Sequence, residues 1–258
     1  MGLPTEIVVR RRGLNWSLDL KEGIDLAIYL FGGFEVLTLR RYAQLVKPGD
    51  IALDVGANVG AHTLPLAQLV GPAGNVVAFE PTLFAFGKQR TNIALNPELA
   101  PRISTHQMML MASDGDDLPG AAYSSWPLEN AADLHAGHHG RLMTTKGGVG
   151  RSLDGILEDL KIGKVDFIKL DVDGNEVDVL AGASATIEDS RPLIVLELAP
   201  YVYEPKPERF DSLLERLWLS GYRLSNVASG RPLPQSAREV RRLIPEAGGI
   251  NVLARFER

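Results

Sequence analysis

Short apolar segments alternate with segments of helical periodicity through most of this chain of 258 residues. The extended segments are residues 51–55, 75–80, 103–110, 165–171, 193–197 and 250–254. The helical segments are residues 60–70, 83–95, 176–188 and 208–220. Strands that alternate with helices form a parallel sheet covered on both faces. The pattern therefore predicts an α/β fold with a doubly wound, mainly parallel sheet.

Two regions fall outside this alternation. Residues 1–46 are predicted to form an N-terminal extension: a β-hairpin that turns at Arg12 and Gly13, then a helical segment broken at Gly32 and Gly33. Residues 47–258 form the main domain, into which residues 112–150 are inserted as a long loop rich in Gly, Ala, Ser and Asp. A loop of this length is typical of an active-site lid or a substrate-binding loop.

Composition narrows the classes of function. The absence of cysteine excludes a disulfide framework and a thiolate metal site, and a net charge of −5 disfavours a nucleic-acid partner. No apolar run reaches the roughly 18 residues of a membrane span, and three arginines at residues 10–12 interrupt a signal-peptide core. We expect a cytoplasmic protein without a membrane span, in which the N-terminal extension is a candidate surface for homodimerisation.

A glycine turn follows the strand at residues 51–55. Residues 54–60 have the sequence DVGANVG and lead into the next helix. Gly56 and Gly60 allow the backbone to approach a ligand, and the helix N-terminus offers amide groups to an anion. Asp54 lies at the strand end, where ligands of doubly wound sheets bind and where a carboxylate can meet a ligand ammonium.

Glu80 is the last residue of the next strand, at about the 20-residue distance expected of an acid that reads a nucleoside. An ionised carboxylate there can accept hydrogen bonds from both hydroxyls of a ribose. The alternative is that Gly56 and Gly60 only make a tight turn and that Glu80 is a surface acid. Because the turn and the acid occur in register, a nucleoside site is the better interpretation.

Two cofactors fit a turn and an acid in these positions. A dinucleotide prefers the pattern GxGxxG, whereas this turn reads GxNxG. S-adenosylmethionine fits better, with its carboxylate at the turn, its ammonium near Asp54 and its ribose at Glu80. An NAD-dependent oxidoreductase and a nonenzymatic S-adenosylmethionine-binding scaffold remain the alternatives.

Further motifs surround the turn and the acid. They are GFE at residues 33–35, PGD at 48–50, AFEP at 78–81, Asn92 with Asn96, SLD at 152–154, IKLDVDGNE at 168–176 and VLAGA at 179–183. With these motifs the chain resembles the FkbM family of S-adenosylmethionine-dependent methyltransferases over about residues 33–198. The segment 168–176 is the most specific, although Asp173 stands where the family more often has Glu.

The resemblance implies a Rossmann-like class I methyltransferase fold with a seven-stranded sheet, and methylation of an oxygen, often a hydroxyl of a sugar or natural product. It assigns S-adenosylmethionine binding to Asp54, Gly56, Asn58, Gly60 and Glu80. The remaining expected cofactor contacts are Glu35, His62, Pro81 and Ser113.

Methyl transfer to a hydroxyl requires the two reacting atoms to be held in line and a base to take the proton. The candidates for catalysis are Asp171 and Glu197, which end two neighbouring strands, and His138 in the inserted loop. Asp171 has the structural alternative of capping a turn, and His138 that of a solvated loop residue. Lys169 is interpreted as an ion-pair partner. No metal is expected, because the residues after Glu197 do not complete a ligand set.

Overall fold

The structure, a computed structural model, describes residues 5–129, 132–135, 139–204 and 206–257. The strands are β1 (Glu6–Arg11), β2 (Leu14–Asp19), β3 (Ile51–Val55), β4 (Asn75–Phe79), β5 (Ile103–His106), β6 (Met108–Leu110), β7 (Ala121–Ser125), β8 (Arg141–Thr144), β9 (Val149–Arg151), β10 (Phe167–Leu170), β11 (Leu193–Leu198), β12 (Tyr222–Asn226) and β13 (Ile250–Phe256). The α-helices are α1 (Gly23–Phe31), α2 (Val36–Leu45), α3 (Thr63–Val70), α4 (Leu83–Ala94), α5 (Leu153–Asp159), α6 (Glu176–Ala181), α7 (Ser184–Ser190), α8 (Glu208–Leu219) and α9 (Ala237–Leu243).

The central sheet has seven strands in the order β12-β13-β11-β10-β3-β4-β5. Strand β13 runs antiparallel to β11 and β12, and the other pairings between neighbours are parallel. The predicted doubly wound, mainly parallel sheet is confirmed. From β3 the chain first adds strands on one side and later on the other, so the topological switch lies between β3 and β10. Ligands of such sheets bind at the carboxyl ends of the strands beside this point.

Alternate residues of the sheet strands enter two separate hydrophobic clusters. In β3, Leu53 and Val55 belong to the cluster that contains residues of α5 to α9, whereas Ala52 belongs to the cluster that contains residues of β2 and of α1 to α3. This alternation follows from the period of two in a strand. The N-terminal extension therefore supplies part of the cover on one face of the sheet.

Strand β2 is fixed to the main domain by side-chain amides of α4 and the residues that follow it. Asn92 accepts a hydrogen bond from the Ser17 amide at 2.8 Å and donates to the Val59 carbonyl at 2.9 Å. Asn96 accepts from the Asn15 amide at 2.9 Å and donates to its carbonyl at 2.8 Å. Both asparagines are fully buried, so the edge of β2 is satisfied by side chains rather than by another strand.

The inserted region is more ordered than the sequence predicts. Residues 112–150 contain the β7-β8 hairpin, and β9 at the end of the insertion pairs with β6. The Asn58 side chain donates to the Ser124 carbonyl at 3.0 Å, and the Gly23 amide donates to the Trp126 carbonyl at 2.8 Å. The insertion is thus held to the glycine turn and to the N-terminal extension.

Two predicted elements are divided in the structure, and one strand was not predicted. The strand expected at residues 103–110 is divided into β5 and β6, which belong to different sheets. The helix expected at 176–188 is divided at Gly182, where a Cβ atom would lie 2.1 Å from the Met111 carbonyl oxygen. Strand β12, the seventh strand of the sheet, has no counterpart among the segments singled out in the sequence. Within the described ranges, none of the helices has the length and apolar character needed to cross a membrane.

We predict that Asn92→Ala lowers the free energy of unfolding by about 2 kcal/mol, because it leaves the Ser17 amide and the Val59 carbonyl without their partner. Urea unfolding followed by circular dichroism measures the change. Arg90→Ala, an exposed position on the same helix, is the control and should change the value by less than about 0.5 kcal/mol. Equal effects of the two substitutions would contradict the proposed anchoring of β2.

Candidate functional site

A cavity of about 650 Å³ opens at the carboxyl ends of β3, β4, β10 and β11, beside the topological switch. Its wall also includes residues of β6, the β7-β8 hairpin and the N-terminal extension. The predicted site residues that line it are Glu35, Gly56, Asn58, His62, Glu80, Pro81, Asp171 and Glu197. The fold therefore brings together most of the residues that the sequence singles out.

Gly56 allows the closest backbone approach in the cavity wall. Its φ is +77°, and a Cβ atom at this position would lie 1.8 Å from the Asp171 carbonyl oxygen. The glycine is required where β3 and β10 end side by side, before any ligand is considered. Gly60 also has a positive φ, of +89°. A Cβ atom added there would have as its nearest neighbour the Gln89 side chain, at an ordinary contact distance of 3.4 Å.

The sequence led us to expect amide groups of the glycine turn to be available to a ligand. In the structure, several of these amides already have acceptors within the protein. The amides of Gly56 and Ala57 donate to the Phe79 carbonyl, and the Gly60 amide donates to the Ala57 carbonyl. The Asn58 amide donates to the Glu80 carboxylate at 3.0 Å. The turn is therefore held mainly by hydrogen bonds to Phe79 and Glu80 at the end of β4, and helix α3 begins only at Thr63.

Asp54, the predicted partner of a ligand ammonium, is not among the residues that line the cavity. It is fully buried, accepts a hydrogen bond from the Thr63 hydroxyl at 2.6 Å and lies 3.6 Å from the Lys169 ammonium. Lys169 also donates to the Gly56 carbonyl at 2.8 Å and lies 3.4 Å from the Asp171 carboxylate. Lys169 is an ion-pair partner, as predicted.

Burial alone would lower the pKa of Lys169, but the carboxylates of Asp171, Asp54 and Glu35 raise it above its usual range. Burial raises the pKa of Asp54, and the Lys169 charge opposes that change. The ammonium is thus charged and is already surrounded by acceptors from β3, β10 and the glycine turn.

Glu80 lies at the cavity wall but is already strongly hydrogen-bonded. Its carboxylate accepts from the Asn58 amide at 3.0 Å, from the Thr82 amide at 2.9 Å and from the Thr82 hydroxyl at 2.6 Å. Burial raises the pKa of Glu80, while the hydrogen bonds from Thr82 and Asn58 lower it. Since a carboxylate has about four acceptor positions, about one remains, rather than the two that a pair of ribose hydroxyls needs.

Glu35 and His62 form a pair that the N-terminal extension brings to the cavity. Their nearest atoms, Oε2 and Nε2, are 3.5 Å apart. The Asn251 side chain of β13 donates to Glu35 at 2.6 Å, and the Tyr42 hydroxyl is 2.9 Å from His62 Nδ1. Burial and the Lys169 charge lower the pKa of His62 well below its usual value, so the ring is neutral. Burial and the Asp171 charge raise the pKa of Glu35.

The ends of β10 and β11 place several carboxylates in one part of the cavity. Burial, followed by the charges of Asp171, Asp173 and Glu35, raises the pKa of Glu197. Burial and the charge of Asp171 likewise raise the pKa of Asp173 well above its usual value. We call Glu35, Asp171, Asp173 and Glu197 the carboxylate group.

Glu176 has a structural role. It begins α6, and its carboxylate accepts hydrogen bonds from the Val172 and Gly174 amides, both at 3.1 Å, and from the Tyr203 hydroxyl. The loop between β10 and α6 is thereby fixed. Asp173 in this loop has a left-handed backbone, with a φ of +49°, and its side chain lines the cavity.

Besides Asp54, two described residues among the predicted site residues, Gly60 and Ser113, do not line the cavity. Gly60 shapes the turn without lining the cavity. Ser113 is exposed, and its hydroxyl donates to Asp116 at 3.0 Å, because the chain has turned away from the cavity after β6. His138 lies outside the described residues.

The sequence did not single out several residues that build the cavity. Asn251 reaches Glu35 because β13 is antiparallel and pairs Asn251 with Glu197, a register that no local motif encodes. Met109 and Tyr201 line the cavity from segments without a recognisable pattern. Among the described residues, no group of three or more His, Asp or Glu is arranged to hold a metal ion.

The cavity, the sheet order and the glycine turn can now be compared with known proteins. A family model described as the Methyltransferase FkbM domain matches residues 54–224. The chain belongs to this family. The match begins at Asp54 and extends through β10 and β11 into β12. The resemblance seen in the sequence motifs is confirmed.

Known relatives are distant. The hexuronic acid methyltransferase AglP of Haloferax volcanii is 27% identical over 158 residues, which cover 61% of this chain and 59% of that protein. A putative rRNA-methylase from Clostridium thermocellum shares the fold, with a TM-score of 0.50, 14% identity and coverage of 86% of this chain and 95% of the other. A methyltransferase FkbM from Methylobacillus flagellatus KT has a TM-score of 0.48 at 15% identity, covering 84% of this chain and 50% of the other.

We predict that Gly56→Ala destabilises the chain far more than Gly60→Ala. Both residues have positive φ, which costs a residue with a Cβ roughly 1–2 kcal/mol, but only the Cβ at position 56 would collide with a backbone carbonyl. We expect a loss of more than about 3 kcal/mol for Gly56→Ala, measured by urea unfolding. Similar losses for the two variants would show that the contact between the glycine turn and Asp171 relaxes easily.

We also predict that Glu197→Gln becomes more stable relative to the wild type as pH rises. The raised pKa of Glu197 means that the folded state holds a proton that the unfolded state loses above its ordinary value near 4.5. Stability from this group is present at low pH and is lost as pH rises through the folded pKa. Unfolding free energies at about pH 5.5 and about pH 8.5 measure the effect. Glu215→Gln, an exposed position on α8, is the control. A variant-to-wild-type difference that does not change with pH would contradict the crowding of the carboxylate group.

Proposed function

We propose that this protein transfers a methyl group from S-adenosylmethionine to a hydroxyl of a sugar, glycan or natural-product acceptor. The observation that carries this proposal is the cavity at the switch point, whose wall contains Glu80 on one side and the carboxylate group on the other. The family and the fold support methyl transfer. The cofactor, the oxygen acceptor and the roles of individual residues are proposals.

The cavity has groups suited to each part of the cofactor. Glu80 retains about one acceptor position for a ribose hydroxyl, and Phe79, Met109 and Leu110 offer an apolar surface to a nucleobase. Asp171, which ends β10 beside the switch point, provides negative charge for a sulfonium and an ammonium. The amides at residues 56–58 already have acceptors within the protein. The ligand carboxylate would therefore have to meet other backbone amides, such as that of Ala61, which lines the cavity.

The same features argue against the dinucleotide alternative. A pyrophosphate needs free amides or basic side chains, whereas the amides at residues 56–58 already have acceptors inside the protein. Lys169 is the one basic residue among the described residues of the cavity wall, and its ammonium faces Asp54, Asp171 and the Gly56 carbonyl. The acids that line the rest of the wall offer a pyrophosphate no compensating cation.

When bound, S-adenosylmethionine supplies a methyl group on a sulfonium, and the electrons of the broken S–C bond remain on sulfur as the acceptor oxygen takes the methyl. Asp171 is the base that we propose for the hydroxyl proton, because it lines the cavity at the end of β10 and is partly exposed. Glu197 lies on the neighbouring strand and is the second candidate. Lys169 orients Asp171 through their ion pair.

A sugar ring suits the face of the cavity formed by the insertion. Tyr123 and Trp126 line it, and such large rings with polar edges present flat apolar surface beside hydrogen-bonding groups. The name of the Haloferax volcanii relative, a hexuronic acid methyltransferase, supports a sugar acceptor at low sequence identity. Residues 112–150 therefore remain our proposed substrate region.

We predict that S-adenosylhomocysteine binds the purified protein with micromolar affinity and that NADH does not bind. Isothermal titration calorimetry with each nucleotide measures this directly. Glu80→Gln should weaken S-adenosylhomocysteine binding by about tenfold or more, because it removes a charged acceptor and disturbs the Asn58 and Thr82 hydrogen bonds. Glu98→Gln, an exposed position after α4, should leave the affinity unchanged.

Failure of S-adenosylhomocysteine to bind at millimolar concentration would overturn the proposed cofactor. Binding of NADH alone would favour the oxidoreductase alternative. Binding of S-adenosylhomocysteine with equal affinity in Glu80→Gln and Glu98→Gln would keep the cofactor but remove the role proposed for Glu80.

A further inference from the structure

We propose that the acceptor carries a cationic amine near its reactive hydroxyl, as an amino sugar does, and that the cavity rejects acceptors that carry a carboxylate. This inference rests on the proposed methyl transfer, since it assigns the carboxylate group to the acceptor half of the same cavity. It concerns which acceptors bind, and it does not follow from the family or the fold.

The two halves of the cavity differ in chemistry. The half over β3 and β4 contains the glycine turn, Glu80 and the apolar side chains of β6, which suit a nucleoside. The half over β10 and β11 contains the carboxylate group and Tyr201, which suit neither a nucleobase nor an anion. If the cofactor occupies the first half, the acceptor meets the second.

The carboxylate group comes from different parts of the chain and converges on one place. Glu35 is held by Asn251, which pairs in register with Glu197 across β11 and β13. Asp171 and Asp173 approach from the loop after β10. The mutual repulsion is direct, since the charges of Asp171, Asp173 and Glu35 each raise the pKa of Glu197.

No cation in the described part of the cavity wall compensates these groups fully. Lys169 is the basic residue there, and it is shared among Asp54, Asp171 and the Gly56 carbonyl. The Lys169 side chain is 5% exposed, so a carboxylate on an acceptor could not reach its ammonium without displacing one of these contacts. A ligand anion would therefore meet several carboxyl groups without gaining a cation.

A buried, unpartnered polar atom marks the same region. His62 is 4% exposed, and its Nε2 atom has no hydrogen-bond partner although it faces Glu35 Oε2 at 3.5 Å. Because the ring is neutral, it adds no positive charge to the cavity. A ligand with a hydrogen-bonding amine and hydroxyl beside Glu35 would supply the polar contacts that this corner lacks.

A cationic ligand makes it easier for the carboxylate group to ionise. An ammonium near Glu197 and Asp173 favours their ionised forms and so opposes the effects of burial and of the neighbouring acids Asp171, Glu35 and Glu176. Binding of the amine should then release protons to the solvent. Proton release accompanies binding only if the amine lies close to these carboxylates, so it reports the location of the charge.

The test uses three matched probes: the methyl glycosides of glucosamine, glucose and glucuronic acid. Each is titrated by calorimetry into the full chain saturated with S-adenosylhomocysteine, and again into the chain alone. We expect the amino sugar to bind about tenfold more tightly than the neutral sugar, and the uronate to bind more weakly than either. Titrations in buffers with different ionisation enthalpies should show net proton release for the amino sugar alone.

Two isosteric variants locate the effect. Glu35→Gln keeps the oxygen that accepts from Asn251, and Glu197→Gln keeps the shape of the side chain, but each removes the negative charge that the carboxyl group can carry once the amine is bound. Each should reduce the preference for the amino sugar over the uronate by about threefold or more and reduce proton release. Glu215→Gln removes the same charge from the exposed surface of α8 and should leave the preference unchanged.

The inference is overturned if the uronate binds as tightly as the amino sugar. It is also overturned if the protein does not distinguish the three sugars, which includes the case in which none of them binds. If S-adenosylhomocysteine fails to bind while the order of probes is as expected, the proposed function falls and the cation-selective cavity stands. If S-adenosylhomocysteine binds and the order is reversed, only this inference falls.

Discussion

The buried ammonium of Lys169 is the contact on which the site depends. It joins β10 to β3 through Asp54, holds the glycine turn through the Gly56 carbonyl, and orients Asp171 toward the cavity. Breaking a buried pair by removing one partner is costly, because the remaining charges stay buried without compensation. The acids around Lys169 in turn keep it charged. The shape of the turn and the arrangement of the acids beside it therefore both depend on Lys169.

Much of the fold could be predicted because its signals are local. Hydrophobic segments, breaks at glycine and the register of the turn with Glu80 are all visible in the chain, and the sheet follows from their alternation. Strand β12 was missed because an edge strand with half-exposed side chains leaves a weak pattern. The ordered β7-β8 hairpin was missed because β7 is rich in small residues, and the position of the hairpin depends on contacts with Asn58 and Gly23.

The site was predictable as a set of residues but less so as a set of contacts. The position of an acid along its strand predicts whether it reaches the edge of the cavity. Asp171 and Glu197 do reach it. It could not tell that Asp54 turns inward to Thr63 and Lys169, since that choice depends on packing between two strands. Nor could it tell that the amides of the turn are used internally. Motif positions therefore predict the location of a ligand site more reliably than they predict the atoms that contact the ligand.

The contact between Glu35 and Asn251 joins residues that are 216 positions apart. One belongs to the segment before α2 and the other to β13, and the region matched by the family model includes neither. During synthesis, a nascent chain that has emerged only as far as β11 has the glycine turn and Glu80 but lacks the side chain that holds Glu35. The nucleoside half of the cavity can therefore assemble while translation continues, whereas the acidic half is completed only after β13 has left the ribosome.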